Sequence, residues 1–403
     1  MKALNLKFEK LTQAMQKVAI DPNDKPKVYE LIDLDEMPEP KLINDDWVKV
    51  KVNLGGICGT DLHVLTLNVS YALSSLTSYP AIFGHEFVGT IVEIGKNVDN
   101  FSLGDRVVIE PLIACEVRGL ELCDSCKIGN INLCCNLDEG SIAPGTWTGF
   151  CKDTGGGWGK YAVAHKSQLF KIPDSISFEE AVLIEPLAVA IHGILRQLPK
   201  DNENCVVIGC GTIGLSTIAA LKALSKCKVF AIAKYAFQSE LAEKFGAEDV
   251  FMIKRDMHIK KIGKKLGAKV ISPMMEDAIL LGGHVDIVID TVGNASSITT
   301  ALRLIKHRGT FILVGIPAYE QIDWTVLLAK EATILPSMGY GNELLKGEKK
   351  RTFQLALDLV KSGKIDIKEI LTHTFRIEDY KEALIVVLNK SENHSIKTVF
   401  SFE

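Results

Sequence analysis

Asn204-Cys-Val-Val-Ile208 runs into Gly209-Cys210-Gly211-Thr212-Ile213-Gly214, and Leu215 to Leu224 continues with helical periodicity. An apolar strand, a glycine loop and a helix in that order decide the fold of the second half of the chain. A G-x-G-x-x-G run alone is weak, and its strand–loop–helix setting makes it strong. The glycines permit a tight turn and let the backbone approach a pyrophosphate, whose charge meets the helix N-terminus. Gly209, Gly211, Thr212, Ile213 and Gly214 are therefore candidate nucleotide-cofactor contacts.

Strand and helix patterns alternate on both sides of this unit. Lys228-Val-Phe-Ala-Ile232, Asp286-Ile-Val-Ile-Asp290 and Gly309 to Gly315 read as strands. Gln238 to Phe245 and Ser297 to Ile305 read as helices. The alternation predicts an α/β, doubly wound parallel sheet of Rossmann type. Val292, Val314 and Ile316 fall at its strand ends, where that architecture binds ligands. The strand at Lys228 closes on Ala233-Lys234-Tyr235, where an acid commonly holds the adenosine ribose hydroxyls. A lysine there attracts a 2′-phosphate, which favours NADP over NAD and makes Lys234 and Tyr235 candidate contacts. The plainer reading is that Lys234 is only solvated. Val250 to Val270 is basic and partly helical, with no evident chemistry.

The first half carries different chemistry. Val48 to Val52, Thr90 to Ile94 and Phe101 to Val108 alternate as antiparallel strands of a β-rich domain, and Leu11 to Ile20 reads as a short helix. Between them lie Gly56-Ile-Cys58-Gly-Thr60-Asp-Leu-His63 and Gly84-His85-Glu86. Thiolate, imidazole and carboxylate suit Zn²⁺, and three protein ligands leave one position open for substrate. Cys58, His85 and Glu86 are candidate ligands, and Asp61 reads as a turn residue. Thr60 and His63 are a candidate proton relay. Cys58 alone would pass for a small buried hydrophobe. Glu185, an acid before Pro186 in an apolar run, is a further candidate ligand or a helix N-terminal acid. His192 on the same helix is assigned to packing. Cys115-x7-Cys123-x2-Cys126-x7-Cys134, with Cys135 adjacent, suits a closed structural zinc site. Buried free thiols, or a redox pair at Cys123 and Cys126, are the alternatives.

Bulk properties narrow the function. A chain of 403 residues exceeds one ordinary core. A net charge of -4 gives no footprint for nucleic acid or anionic lipid. No apolar run reaches membrane-spanning length, and Met1 to Lys10 lacks a signal core. Ten cysteines without disulfide-scaffold density indicate a reducing, cytoplasmic compartment.

Taken together, Gly56-x-Cys58-Gly-Thr60-Asp-x-His63, Gly84-His-Glu-x-x-Gly89, the cysteine cluster, Glu185-Pro-Leu and the glycine loop resemble the zinc-dependent medium-chain alcohol dehydrogenases over nearly the whole chain. The resemblance implies a discontinuous, β-rich, GroES-like catalytic domain over 1–188 and 340–403. It implies a Rossmann cofactor domain over 189–339, with nicotinamide and zinc in a cleft between the two. It implies hydride transfer between an alcohol or carbonyl substrate and NADP or NAD, with Cys58 and His85 ligating zinc and Glu86 ligating it or standing behind it. A glutamate at position 185 resembles the sorbitol, threonine and glucose dehydrogenase branches, and so favours a polyol, sugar or secondary alcohol. Lys397 sits where similar enzymes contact the cofactor pyrophosphate. A homodimer or homotetramer is implied by the same analogy. Two other readings are a zinc-independent quinone or enone reductase on this fold and a non-catalytic nucleotide-binding protein. Three departures stand out: Cys115 lies apart from the Cys123–Cys126 pair, the segment before Cys58 is long, and the adenosine acid is missing. Loops such as Leu65 to Tyr79 and Ala143 to Trp158 are expected to set substrate choice.

Overall fold

A computed structural model describes residues 1–21, 23–345 and 347–402, without the side chains of Tyr71 and Leu73. The chain divides into two compact units. The first is Met1–Glu185 with Leu344–Lys361 and Lys368–Glu403, and the second is Pro186–Glu343 with Ser362–Ile367. The break expected after residue 188 thus falls inside a helix, at Glu185. The stretch 362–367 belongs to the second unit, where Ile365 and Ile367 are buried.

The first unit opens with β1 (Lys2–Leu6), α1 (Phe8–Ile20) and β2 (Ile32–Glu36). It continues through β3 (Trp47–Gly56), α2 (Gly59–Leu65), β4 (Ala81–Ile82), β5 (Phe87–Ile94) and β6 (Arg106–Ile109). Then come α3 (Asp124–Lys127), β7 (Tyr161–His165), β8 (Leu169–Lys171) and α4 (Phe178–Ala181). A three-stranded sheet has the order β2-β1-β4. The alternating Val48, Val50 and Val52 of β3 are all fully buried, as a half-buried strand requires. Asp33 and Asp35 of β2 hold α1 through Lys7 and Lys10. Phe8 of α1 sets its ring 5.5 Å from that of Tyr79.

The second unit begins within α5 (Ile184–Leu195). It alternates β9 (Asn204–Ile208), α6 (Thr212–Leu224), β10 (Lys228–Ala233), α7 (Ala236–Lys244), β11 (Asp249–Met252) and α8 (Met257–Lys265). A two-stranded ribbon of β12 (Lys269–Ile271) and β13 (Ile279–Leu281) follows. Then come β14 (Ile287–Asp290), α9 (Ala295–Leu304), β15 (Thr310–Leu313), α10 (Thr325–Lys330) and β16 (Thr333–Pro336). The sheet order is β11-β10-β9-β14-β15-β16, every pairing parallel. Strand order reverses between β9 and β14, so the glycine loop after β9 stands at the switch point of the sheet. Val206, Ile208, Val288 and Phe311 form the core under it. Lys330 is buried and its Nζ donates to the carbonyls of Leu302, Arg303 and Ile305 at 2.8–2.9 Å, closing the C-terminal end of α9.

The tail holds β17 (Asn342–Leu345), β18 (Glu348–Arg351), α11 (Thr352–Lys361), β19 (Leu371–Arg376), α12 (Tyr380–Leu388), α13 (Lys390–Asn393) and β20 (Lys397–Ser401). It returns to the first unit as anticipated: β20 pairs with β3, Val399 opposite Gly56. The resulting sheet runs β19-β20-β3-β5-β6-β8, with β7 on the other part of β3. Arg351 then pairs with the buried Glu110 just beyond β6. No helix among the described residues is long and apolar enough to cross a membrane.

Candidate metal and cofactor sites

Two turns bring the first set of ligands together. Cys58 caps α2, and its N–H donates to Asp61 Oδ2 at 2.9 Å. Gly84 carries the second turn at φ +88, and a side chain there would strike Trp158. Trp158 is itself fixed, its N–H donating to Phe83 O at 2.8 Å and its Nε1 to Gly56 O at 2.9 Å. One ligand atom each of Cys58, His85 and Glu86 lies within 4.8 Å of the others, with His85 and Glu86 buried. Glu185 is buried but is not a member of this group.

The electrostatics suit a cation. Burial opposes ionisation of the Cys58 thiol, yet His85, by charge and hydrogen bond, brings it down to about 7. Burial likewise lowers His85, while the Cys58 and Asp61 charges outweigh it and hold His85 well above the ordinary imidazole value. His85 Nδ1 and Asp61 Oδ1 face each other at 3.5 Å, neither with a hydrogen-bond partner among the described residues. Trp147 and Phe150 pack on the imidazole with centroids at 5.1 and 5.7 Å. A thiolate, an imidazole and a carboxylate converging on one point fit Zn²⁺.

Asp61 thus does more than hold the turn: it braces both Cys58 and His85. Its place three residues after a helix-capping position was the readable signal, since an acid there reaches back to the cap N–H. Thr60 Oγ1 lies 3.6 Å from Cys58 Sγ. His63 is exposed on one side, and its Nδ1 contacts Asn68 O at 3.1 Å. A carbonyl only accepts, so Nδ1 carries the proton and Nε2 is left as the basic nitrogen.

Lys397 Nζ is buried, donates to Ile57 O at 3.1 Å and pairs with the Glu86 carboxylate. A buried carboxylate needs a compensating charge, and β20 beside β3 supplies one. Burial pushes the Lys397 amine down to about 8. His192, assigned to packing, also bonds Glu343 Oε1 through Nδ1 at 2.6 Å.

The cysteine lobe closes on Cys115, Cys123, Cys126 and Cys134, all with Sγ atoms within 4.8 Å of one another. Cys135 is exposed, and its N–H donates to Cys123 Sγ at 3.5 Å. That bond and the Cys126 N–H pull Cys123 down to about 6, while burial pushes Cys134 up to about 11. The donor set fits a closed tetrahedral zinc site. The buried Arg118 holds the lobe from below, donating to the carbonyls of Leu137, Glu139, Ile142 and Gly145 at 2.5–3.1 Å.

In the second unit the glycine loop leaves room for a ligand. Gly209 sits at φ +91, and a side chain on Gly214 would collide with Gly209 O. A Cβ built on Gly211 meets nothing within 4 Å, so open space lies over the loop where a pyrophosphate must approach. Gly211 is the N-cap of α6, so the start of this helix, where a pyrophosphate charge is favoured, lies at the glycine loop. Val292 and Ile316 are exposed at the strand ends, and Val314 is largely buried. Lys234 is exposed, its Nζ 5.4 Å from the Tyr235 ring centroid.

A nucleotide-binding sheet and a thiolate–imidazole–carboxylate centre in one chain define a metal-dependent oxidoreductase. Residues 44–174 match the alcohol dehydrogenase GroES-like domain, and 212–362 match the zinc-binding dehydrogenase family. The chain is similar to sorbitol dehydrogenase of Bacillus subtilis, 30% identical over 88% of this chain and 89% of that one. It is similar to L-idonate 5-dehydrogenase of Vitis vinifera, 31% identical over 83% of each chain. A solved structure of 2R,3R-butanediol dehydrogenase from Bacillus subtilis aligns with TM-score 0.74 and 25% identity over 100% of this chain and 99% of that one. The chain belongs to the zinc-dependent medium-chain alcohol dehydrogenase family. It is a zinc- and NAD(P)-dependent oxidoreductase acting on an alcohol or its carbonyl partner.

Proposed function

We propose that the chain oxidises a small polyol, or reduces the matching ketose, with Cys58, His85 and Glu86 holding the catalytic zinc and the cysteine lobe a structural one. The observation that carries this reading is the convergence of those three ligand atoms within 4.8 Å in a chain of this family. Relatives named for sorbitol and L-idonate, both hydroxyl-rich carbon chains, support the substrate class. Zinc bound there supplies a Lewis acid for the substrate oxygen, and the nicotinamide carries the hydride.

The chain's own residues do the rest. The Asp61 carboxylate faces His85 Nδ1, and its charge orients the ring. Lys397 pairs with the Glu86 carboxylate and offsets its charge. Thr60 Oγ1, beside the Cys58 sulfur, takes the substrate hydroxyl proton and hands it toward His63 Nε2 and solvent. Trp147 and Phe150 keep water from the imidazole face. Gly211 and the α6 N-terminus hold the cofactor pyrophosphate, with Val292, Val314 and Ile316 beside it. Ten free cysteines, several at the metal centres, support a reducing cytoplasmic setting. A homodimer or homotetramer is the assembly we expect, and light scattering measures it.

The test is reduced-nicotinamide absorbance over polyols, sugars, secondary alcohols and threonine, with each coenzyme, with and without a strong zinc chelator. Chelator-sensitive polyol turnover is the expected result. Turnover indifferent to chelator, or confined to quinones and enones, would sink the reading.

A further inference from the structure

The missing acid at the end of β10 has a counterpart that only the sheet reveals. Strands β10 and β11 are parallel neighbours in the register Ala233 opposite Met252. Ile253 N–H extends the ladder by donating to Ala233 O at 2.9 Å. The residues leaving the two strands at the same edge are therefore Lys234-Tyr235 and Ile253-Lys254-Arg255. Neighbouring strands lie about 4.8 Å apart, so side chains from both ends reach one small anion.

All three cations are exposed, and none forms an ion pair with a described carboxylate. A tight turn, closed by Met257 N–H to Lys254 O at 2.9 Å, holds Lys254 and Arg255 at the strand end. Arg255 takes φ +43 in that turn, a conformation uncommon outside glycine. Asp256, the adjacent acid, is occupied by Lys260 Nζ at 2.6 Å and turned to α8. The Tyr235 ring lies under the Lys234 ammonium and stacks on Phe237 at 5.6 Å, which limits where that ammonium goes. Helix α7 starts at the same point, with no side-chain cap and no acid in its first turn. Its free N–H groups add to the positive field.

We propose that Lys254 and Arg255, on the turn after β11, join Lys234 to form a subsite for the 2′-phosphate of NADP. This inference rests on the dehydrogenase reading above and narrows its cofactor. An adenosine ribose bound over this edge brings its 2′ position to the end of β10, where the fold directs it. A phosphomonoester there meets two ammonium groups and a planar guanidinium suited to paired oxygens. A bare ribose diol meets the same three cations with no carboxylate to accept from its hydroxyls.

Calorimetric titration with 2′,5′-ADP and with 5′-AMP tests the subsite without turnover. The wild type should bind 2′,5′-ADP at least about tenfold more tightly, and the difference should shrink as salt rises. Lys254→Ala and Arg255→Ala should each cost about tenfold for 2′,5′-ADP while leaving 5′-AMP nearly unchanged. Lys234→Asp should reverse the preference. All three side chains are exposed, so melting temperatures should hold and serve as the folding control. Equal affinity for the two nucleotides, or losses shared by both, would overturn the subsite and leave the dehydrogenase reading standing. Failure of both nucleotides to bind the wild type would overturn both.

Discussion

Single side chains set the chemistry of the first unit. Asp61 is the clearest case, with one carboxylate oxygen on the Cys58 N–H and the other facing His85 Nδ1. Asp61→Asn keeps the size and the cap but loses the charge that orients the ring. It should weaken zinc binding or turnover by about 10- to 100-fold, read by chelator competition and steady-state rates. Glu110 offers a test away from the metals. Burial pushes its carboxyl up to about 7, against the pull of Arg351. The folded chain therefore binds more protons than the unfolded chain between about pH 4.5 and 7. Stability from this group is fully present below the unfolded value and is lost as pH rises through 7. The melting temperature of wild type relative to Glu110→Gln should fall steadily across that window. A constant difference would show that Glu110 does not titrate there.

At the scale of elements, the lobe after β6 has little regular structure to hold it. Its longest helix, α3, spans Asp124–Lys127. Arg118 fills that role, its fork spread over four or more carbonyls between Leu137 and Gly145. Arg118→Lys keeps the charge and loses the fork. It should cost about 3 kcal/mol and loosen the lobe, read as a lower melting temperature and faster release of the lobe's zinc. Conservative loss below about 0.5 kcal/mol would mean that the carbonyls are equally well served by water. The strand β20 shows the same logic in a sheet. It joins β3 beside the cysteine turn, and Lys397 at its start reaches Glu86. No local pattern in the sequence tells which strand it joins.

For the whole molecule, metal content and stability should separate. We expect about two zinc ions per chain by elemental analysis. Cys126→Ser should remove one and lower the melting temperature, because a closed site contributes folding energy directly. Cys58→Ser should remove the other and abolish turnover, while nucleotide binding and melting change little. Loss of both ions in either variant would contradict two independent sites.

Local chemistry made much of this legible in the chain itself. The glycine loop between Ile208 and Thr212, the alternating valines of β3 and the spacing of Cys123 and Cys126 each follow from short-range geometry. Turn, strand and ligand pair are all decided within a few residues. So the parallel sheet and the two clusters of candidate ligands were readable before any coordinates. What remained open depended on partners far apart in sequence. The structure groups Glu86 with Cys58 and His85, and Cys134 with Cys115, Cys123 and Cys126. It turns Lys397 onto Glu86, gives His192 to Glu343, and sets Lys254 and Arg255 beside Lys234. Burial and the cost of an uncompensated charge decide the buried pairs, and strand register places the exposed cations; both act through space and leave no period in the sequence.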